Sequence, residues 1–291
     1  MTSSKVLTLS QFIQDAPPGE LPDVVADIKA LSANDQSVIK SLEPAFKGYN
    51  EAQLTTTKLP GGSNEVIVSS YNTLDDGRYY DIESQSSFHF DHLTQASSAV
   101  QSYTFESKQS DVVYGSCMIA IDLTFLMRFD SNSLLKSLST HVKEHYPSAS
   151  YGVYPTEEDR MIAILIVANK YSPNNFWNGR WRSLYLFSPN SFSLDGTLKV
   201  DVHYYEDGNV RLLTDKQVSA SASSSSAADI IKHVAAVEKK YQEELNRAFS
   251  NLSEGAFKGL RRQLPITRQK IEWEKISSYR LGQDIGGGRS K

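Results

Sequence analysis

Three stretches of this 291-residue chain gather side chains able to do chemistry. The first is FHFDH, which sets His89, Asp91 and His92 within four positions. Two imidazoles and a carboxylate suit metal ligation or proton transfer. On a strand, however, side chains alternate, so His89 and Asp91 share one face and His92 points away. No other His or Cys cluster completes a coordination shell, so the stretch reads as a sheet edge or turn. His141 and His145 are spaced i, i+4 but lack the HExxH pattern, and read as a surface pair. Cys117, the only cysteine, lies in SCMIAI and reads as a small buried hydrophobe. A single cysteine leaves no intrachain disulfide and no CxxC zinc site. GxSxG, P-loop and GxGxxG patterns are absent, and the late GGGR follows no strand. The residues assemble no acid, base and nucleophile. We therefore expect no catalytic residues, no metal and no cofactor, and a binding protein rather than an enzyme.

The second stretch is NNFWNGRWRS, Asn174–Ser183. Trp177 and Trp181 bracket Gly179 and Arg180, with Arg182 next. Two readings apply. The rings stack on a base or ligand while the arginines hold phosphate, or Trp177 fills a core corner and Trp181 opens a strand with Leu184 and Leu186. We expect packing.

The third is the C-terminal FKGLRRQLPITRQKIEWEKISSYRLG. Lys258, Arg261, Arg262, Arg268, Lys270, Lys275 and Arg280 stand against Glu272 and Glu274, a local charge of +5 in a chain whose net charge is -4. Leu260, Leu264, Ile266, Ile271, Trp273, Ile276 and Leu281 are interleaved with these charges. A merely solvated face has no use for Trp273. A cationic, apolar-studded arm fits three partners: nucleic acid, an anionic membrane surface, or an acidic protein surface. Because the rest of the chain is acidic, nucleic acid is the weakest of the three.

These stretches hang on an α+β framework. Hydrophobic residues make up 40% of the chain, enough for a real core. The start lacks a basic, apolar leader and no run approaches a membrane span, so a cytosolic protein is expected and the Asn251-Leu-Ser253 sequon is inert. Leu7–Ile13 is periodic and stops at Asp15-Ala-Pro-Pro-Gly19; Pro22 opens a second helix with Val24, Val25, Ile28 and Leu31. Ser37–Phe46 reads as a third, with Val38, Ile39, Leu42 and Phe46 on one face. Glu65–Tyr71, Val112–Leu126 and Arg160–Ala168 read as strands, and Ser131–His145 as a helix carrying Leu134, Leu135, Leu138 and Val142. In KVDVHYYEDGNVRLLT, Val200, Val202 and Tyr204 alternate on one strand and Val210 and Leu212 on the next, with Asp207-Gly208 as the turn. Ser219–Ser226 reads as a linker, and Ser226 with Asp229 as a capping box. A helix of about 35 residues then carries Ile230, Val234, Val237, Tyr241, Leu245, Phe249, Leu252, Ala256 and Leu260, ending at Pro265. The expected organisation is an N-terminal helical region at 1–60, a mixed region with an antiparallel sheet at 61–218, linker and long helix at 219–264, and a separate extension at 265–291.

FHFDHL, NNFWNGRWRS, KVDVHYYEDGNVRLLT and FKGLRRQLPITRQKIEWEKISSYRLG occur in the order and spacing of one family. On them the chain resembles the α subunits of the heterodimeric F-actin capping proteins, over Phe88 to Gly282. Two stretches depart from the family pattern: the bland Ser219–Ser226 and the Gly286–Lys291 ending.

The resemblance implies N-terminal helices, a central antiparallel sheet, a long helix packed across it, and a mobile amphipathic C-terminal extension. It implies an obligate heterodimer with a capping protein β subunit, the two sheets joined into one. It also implies calcium-independent capping of the barbed end of F-actin without severing, in the cytoplasm at cortical actin structures. Lys258, Arg262 and Arg268 would contact actin. Arg261, Lys270 and Lys275 share that basic motif, and Ile271, Trp273 and Ile276 would pack on actin or on the cap. Phosphoinositides and capping regulators are further implied partners, and an anionic-lipid module on the same arm is the alternative reading.

Overall fold

The computed structural model describes residues 3–62, 64–103, 131–146, 148–156, 161–206 and 209–251. Cys117, the strand expected at Val112–Leu126, the Asp207-Gly208 turn and the basic C-terminal segment lie outside the described residues. The chain divides into two compact units, Met1–Ala235 and Ala236–Lys291.

Four short helices open the first unit: α1 (Ser3–Gln14), α2 (Leu21–Leu31), α3 (Gln36–Ser41) and α4 (Glu43–Ala52). The single helix expected over Ser37–Phe46 is two. Pro44 at the start of α4 has no N–H to donate to the Lys40 carbonyl, and its ring crowds that carbonyl, so the chain breaks at Leu42. The apolar face survives the break. Val38, Ile39, Leu42 and Phe46 join Leu9, Ile13, Leu21, Val25 and Ile28 in one buried cluster. Asp35 caps α3 by accepting from the Ser37 N–H at 2.9 Å.

Next come β1 (Thr56–Lys58) paired with β2 (Glu65–Ile67), and a three-stranded sheet of β3 (Tyr79–Asp81), β4 (Ser86–Asp91) and β5 (Ala96–Ser102). The strand expected to run to Tyr71 ends at Ile67 because Asn72 turns the chain. Its Oδ1 accepts from the N–H and hydroxyl of Ser69, and its Nδ2 donates to the Ile67 and Tyr80 carbonyls. Asn50, fully buried, does the same for α4, donating to Phe46 and His92 carbonyls and accepting from Thr55 and Gln95. Buried amides with every site filled orient a chain without leaving an unpaired group behind.

The principal sheet is a five-stranded antiparallel meander, ordered β10-β9-β8-β7-β6. It comprises β6 (Ala149–Pro155), β7 (Ile162–Ser172), β8 (Trp177–Ser188), β9 (Ser193–Tyr204) and β10 (Val210–Ser221), preceded by helix α5 (Ser131–His145) beside β6. Consecutive long strands in a meander explain the alternating Val, Ile and Tyr of the sequence. One face carries Tyr154, Ala163, Leu165 and Val167 into a core with Leu54, Ile67, Leu74 and Tyr80. The other carries the buried Ile162, Ile164, Ile166, Tyr185, Phe187, Leu194 and Leu198. Gly196, opposite Tyr185 in the ladder, has to be glycine, since a Cβ there would lie 2.4 Å from the Tyr185 ring.

Val202 pairs with Leu212 and Tyr204 with Val210, as the hairpin pattern predicts. The strand runs further than expected: Ser219–Ser221 belong to β10, because small side chains keep pairing with β9 to its last residue. The connection to helix α6 (Ala227–Asn251) is therefore shorter. The Ser226 hydroxyl accepts from the Asp229 N–H, as a capping box requires, but the Asp229 carboxylate reaches back past Ser226 to the N–H groups of Ser223 and Ser224. Helix α6 buries Ile230, Ile231 and Val234 at its start, and its expected continuation beyond Asn251 lies outside the described residues.

Candidate functional site

The nine residues expected to grip a partner all lie outside the described residues: Lys258, Arg261, Arg262, Arg268, Lys270, Ile271, Trp273, Lys275 and Ile276. The remaining motifs are in view, and most do structural work.

FHFDH ends β4 and enters a turn. The Asp91 carboxylate accepts from the Leu93 N–H at 3.0 Å and the Thr94 hydroxyl at 2.6 Å, which hold it below the usual carboxylate range despite partial burial. His92 follows the strand. Tyr79 donates its hydroxyl to Glu51 at 2.7 Å, so the 3.2 Å contact with His92 requires the hydrogen on Nε2. Burial lowers the His92 pKa, and its Nδ1 has no hydrogen-bond partner. Among the described residues no three His, Cys, Asp or Glu side chains gather as metal ligands. The expected surface pair His141 and His145 is half right. His141 is buried on the inner side of α5, because it follows the buried Leu134 by seven residues and Leu138 by three, which puts it on the packed face, and its carbonyl contacts His145 Nδ1 at 2.9 Å.

NNFWNGRWRS inverts its expected roles. Trp177 and Trp181 do not fill the core; both are half-buried. Trp177 lies under Lys170, whose ammonium is 5.6 Å from the ring centre. The arginines are the buried residues, Arg180 at 5% exposure and Arg182 at 8%. Alternation explains this: Asn178, Arg180 and Arg182 share the face that the N-terminal loops cover, and the tryptophans share the other.

On that covered face the sheet and the N-terminal region meet through a polar seam. Arg180 donates to Asn169 Oδ1 at 2.8 Å, to the carbonyl and side-chain oxygens of Gln53, and to the Tyr171 hydroxyl. Arg182 donates to the Ala52 carbonyl at the end of α4. Burial, with Arg180 alongside, pushes the Arg182 guanidinium down to about 10, so it stays cationic at neutral pH. Asp201, 1% exposed and opposite Arg180 in the ladder, receives Arg211 through two bonds of 2.9 and 2.7 Å. That bond to Asp201 raises the Arg211 pKa, and Arg211 also donates to the Asp15 and Ala16 carbonyls behind α1. Glu20, ahead of α2, accepts from Asn178 at 2.9 Å and lies 2.7 Å from His203 Nδ1. Gly19 makes this approach possible: its φ is +79°, and a Cβ would come 3.0 Å from the Tyr171 ring.

Arg180 and Arg182, the arginines that the stacking reading needed, are buried among protein acceptors and are not presented to a phosphate. Asp201, His203 and Arg211 were the residues that sequence reasoning passed over. They are the polar half of the alternation that marks β9 and β10. Nothing local says that this half is covered.

The exposed feature is β10. Among the described residues it has β9 on one side and no strand on the other, over twelve residues without a proline or bulge. Val210 is 63% and Leu213 62% exposed. An open, regular edge of this length, with Val210 and Leu213 exposed on it, is a surface on which another strand can pair.

Comparison with known proteins gives a consistent answer. The family model for the F-actin capping protein alpha subunit matches residues 9–284. A protein of Neurospora crassa named F-actin-capping protein subunit alpha is 59% identical over 291 residues, with 100% of each chain covered. Those of the same name from Yarrowia lipolytica and Caenorhabditis elegans are 39% and 33% identical, covering 99% and 97% of this chain and 100% and 98% of their own. The solved homodimeric actin capping protein alpha subunit of Plasmodium berghei superposes with a TM-score of 0.67 at 18% identity, over 92% of this chain and 99% of that one. Matched along nearly its whole length, with its motifs in place, the chain belongs to the F-actin capping protein alpha subunit family.

Proposed function

We propose that this chain is the α subunit of a heterodimer that caps the barbed ends of actin filaments. It blocks subunit addition and loss without severing, needs no calcium and does no chemistry. Family membership supports the role, and the open edge of β10 carries the dimer: a strand of that length offers a partner sheet twelve residues of main-chain pairing. The partner is a capping protein β subunit, and the working place is the cytoplasm, at cortical actin structures. The stretches 1–60, 61–218, 219–264 and 265–291 serve as helical base, sheet, connecting helix and actin-gripping extension.

The grip falls to the basic arm. Lys258, Arg262 and Arg268 steer it to the acidic filament end, with Arg261, Lys270 and Lys275 adding charge. Ile271, Trp273 and Ile276 supply apolar contacts that slow release. The same arm favours a second reading, an anionic-lipid site, because its cations alternate with apolar side chains. Phosphoinositides and regulators that compete for the arm would then lift the cap.

The test is seeded barbed-end elongation with the co-expressed heterodimer, at low and physiological salt. Replacing Lys258, Arg262 and Arg268 together by Ala slows association and leaves the thermal melt of the heterodimer in place. Salt slows the wild type more than the variant. Wild-type capping by the triple variant removes these residues from the site. Binding to phosphoinositide liposomes without any effect on filament ends would favour the lipid reading.

A further inference from the structure

Strand β10 begins at Val210, and the end of a strand with one neighbour opens at little cost. Here that end is tied to the loop between α1 and α2, residues 15–20. Arg211 holds Asp201 through Nε and Nη2 at 2.9 and 2.7 Å, and the same guanidinium donates to the Asp15 and Ala16 carbonyls. His203, opposite Arg211 in the ladder, lies 2.7 Å from the Glu20 carboxylate through Nδ1 and 2.8 Å from the Asn209 side chain through Nε2. The loop is fixed in its turn. The Tyr49 hydroxyl reaches the Ala16 and Pro17 carbonyls at 3.2 Å, and Gly19 lies against the Tyr171 ring. We propose that Arg211 is a positioning residue for the subunit edge: it pins the Val210 end of β10 to the α1–α2 loop, so that the strand meets its partner already extended. The inference rests on the reading of β10 as the subunit edge given above.

The side chain suits the task. A guanidinium presents five N–H groups in one plane, so it can hold a carboxylate with two of them and still reach two carbonyls. An ammonium, as a point charge, cannot do both. The tie also leaves the edge clear. Side chains stand off a sheet, whereas the main-chain groups that pair with another strand lie in its plane. Arg211 therefore anchors β10 from the face that the N-terminal loops cover, without occupying the edge. A strand ordered in advance loses less freedom when its partner binds, and the gain appears as slower release.

The experiment uses the co-expressed full-length heterodimer. Release is read as the rate at which a tagged β subunit replaces an untagged one, and β10 is followed by amide hydrogen exchange. Arg211→Lys keeps a cation beside Asp201 but loses the fork to the loop. Gly19→Ala changes no charge and no residue of β10; at a φ of +79°, with its Cβ 3.0 Å from the Tyr171 ring, it displaces the loop alone. Each variant is expected to speed β replacement at least about tenfold. Each should deprotect residues 210–212 and leave residues 218–221, at the far end of the strand, as in wild type. The control, Ile28→Val with Leu42→Val, weakens the helical core and leaves the tie intact. It is expected to stay within about twofold of the wild-type rate. If the control, for an equal fall in melting temperature, speeds replacement as much as Arg211→Lys, the tie serves stability only and the positioning role falls. Wild-type rates and protection in both loop-tie variants overturn it as well, while the edge stands if Val210–Ser221 is protected at consecutive amides. If every second amide of that strand exchanges fast in the wild-type heterodimer, β10 is not the subunit edge, and the positioning role falls with that reading.

Discussion

Two regions hold the N-terminal helices in place, and they use opposite means. The helical core of Ile13, Ile28, Leu42 and Phe46 is dry, its contacts non-directional and proportional to area. The seam of Asn178, Arg180, Arg182, Asp201 and His203 is polar, and each contact there is a directed bond to one acceptor. The core tolerates any side chain of about the right volume. The seam tolerates only the right atoms, because removing one partner strands a buried charge. The core therefore supplies stability, and the seam fixes how the helical loops register on the sheet.

The sharpest way to break this contrast is Asp201→Ala. It leaves Arg211 without its carboxylate beside Arg180 and Arg182, and should cost roughly 3–5 kcal/mol in denaturant unfolding of the heterodimer. Asp201→Asn keeps the shape and should still lose much of that. An asparagine variant as stable as wild type would show that the seam works by shape and not by charge.

A smaller effect tests directionality. Glu20→Gln and His203→Gln, singly and together, should show a coupling of about 0.5–3 kcal/mol, since the two groups are 2.7 Å apart and mostly buried. Additive losses would mean that the pair is incidental.

The core makes the complementary prediction. Leu42→Met should cost less than about 1.5 kcal/mol, because the volume is kept and no direction is lost. Trp177→Ala, which truncates a ring that is only half-buried, should cost roughly 1 kcal/mol by area, well short of a full core truncation. A much larger loss at Trp177 in a thermal melt would return that ring to the core.

The smallest effect is in pH. His92 is held neutral: burial lowers its pKa, and a proton on Nδ1 would have no acceptor. Between its lowered folded value and the ordinary 6.5, the unfolded chain binds more protons than the folded one. The His92 contribution is therefore complete above 6.5 and declines as pH falls below it. His92→Phe should flatten this part of the stability profile relative to wild type. An unchanged slope would mean that His92 does not titrate differently on folding.

Sequence and structure agree where the signal is periodic. Leu9 and Ile13 of α1, Val25 and Ile28 of α2, Leu134, Leu138 and Val142 of α5 and the Val202–Leu212 register could be read directly, because 3.6- and 2-residue repeats report which side of an element is buried, whereas Leu7, Phe12 and Leu31, read with the same stripes, are exposed. Disagreement begins where a single residue overrides a pattern. Pro44 splits one expected helix while leaving its stripe intact. Asn72 stops a strand that Val and Tyr would otherwise continue. NNFWNGRWRS misleads for a third reason. Tryptophan is the more apolar residue and arginine the more polar, yet the loops of the helical region happen to close over the arginine face.

By itself, then, the sequence determined the α+β order, the helix and strand faces, the hairpin register and, through four motifs, the family. It also determined the charge of the C-terminal arm. Only the tertiary structure decided which polar face is covered, which buried charges find partners, and that β10 has no second neighbouring strand among the described residues. The reason is range. Periodicity is a property of neighbouring residues, whereas the bond from Glu20 to His203 joins positions 183 apart and that from Arg211 to Asp15 joins positions 196 apart. No local pattern distinguishes an arginine that will meet a carbonyl across the fold from one that will meet water. The difference between those two outcomes is several kilocalories per mole of desolvation, offset only where the acceptor is in place.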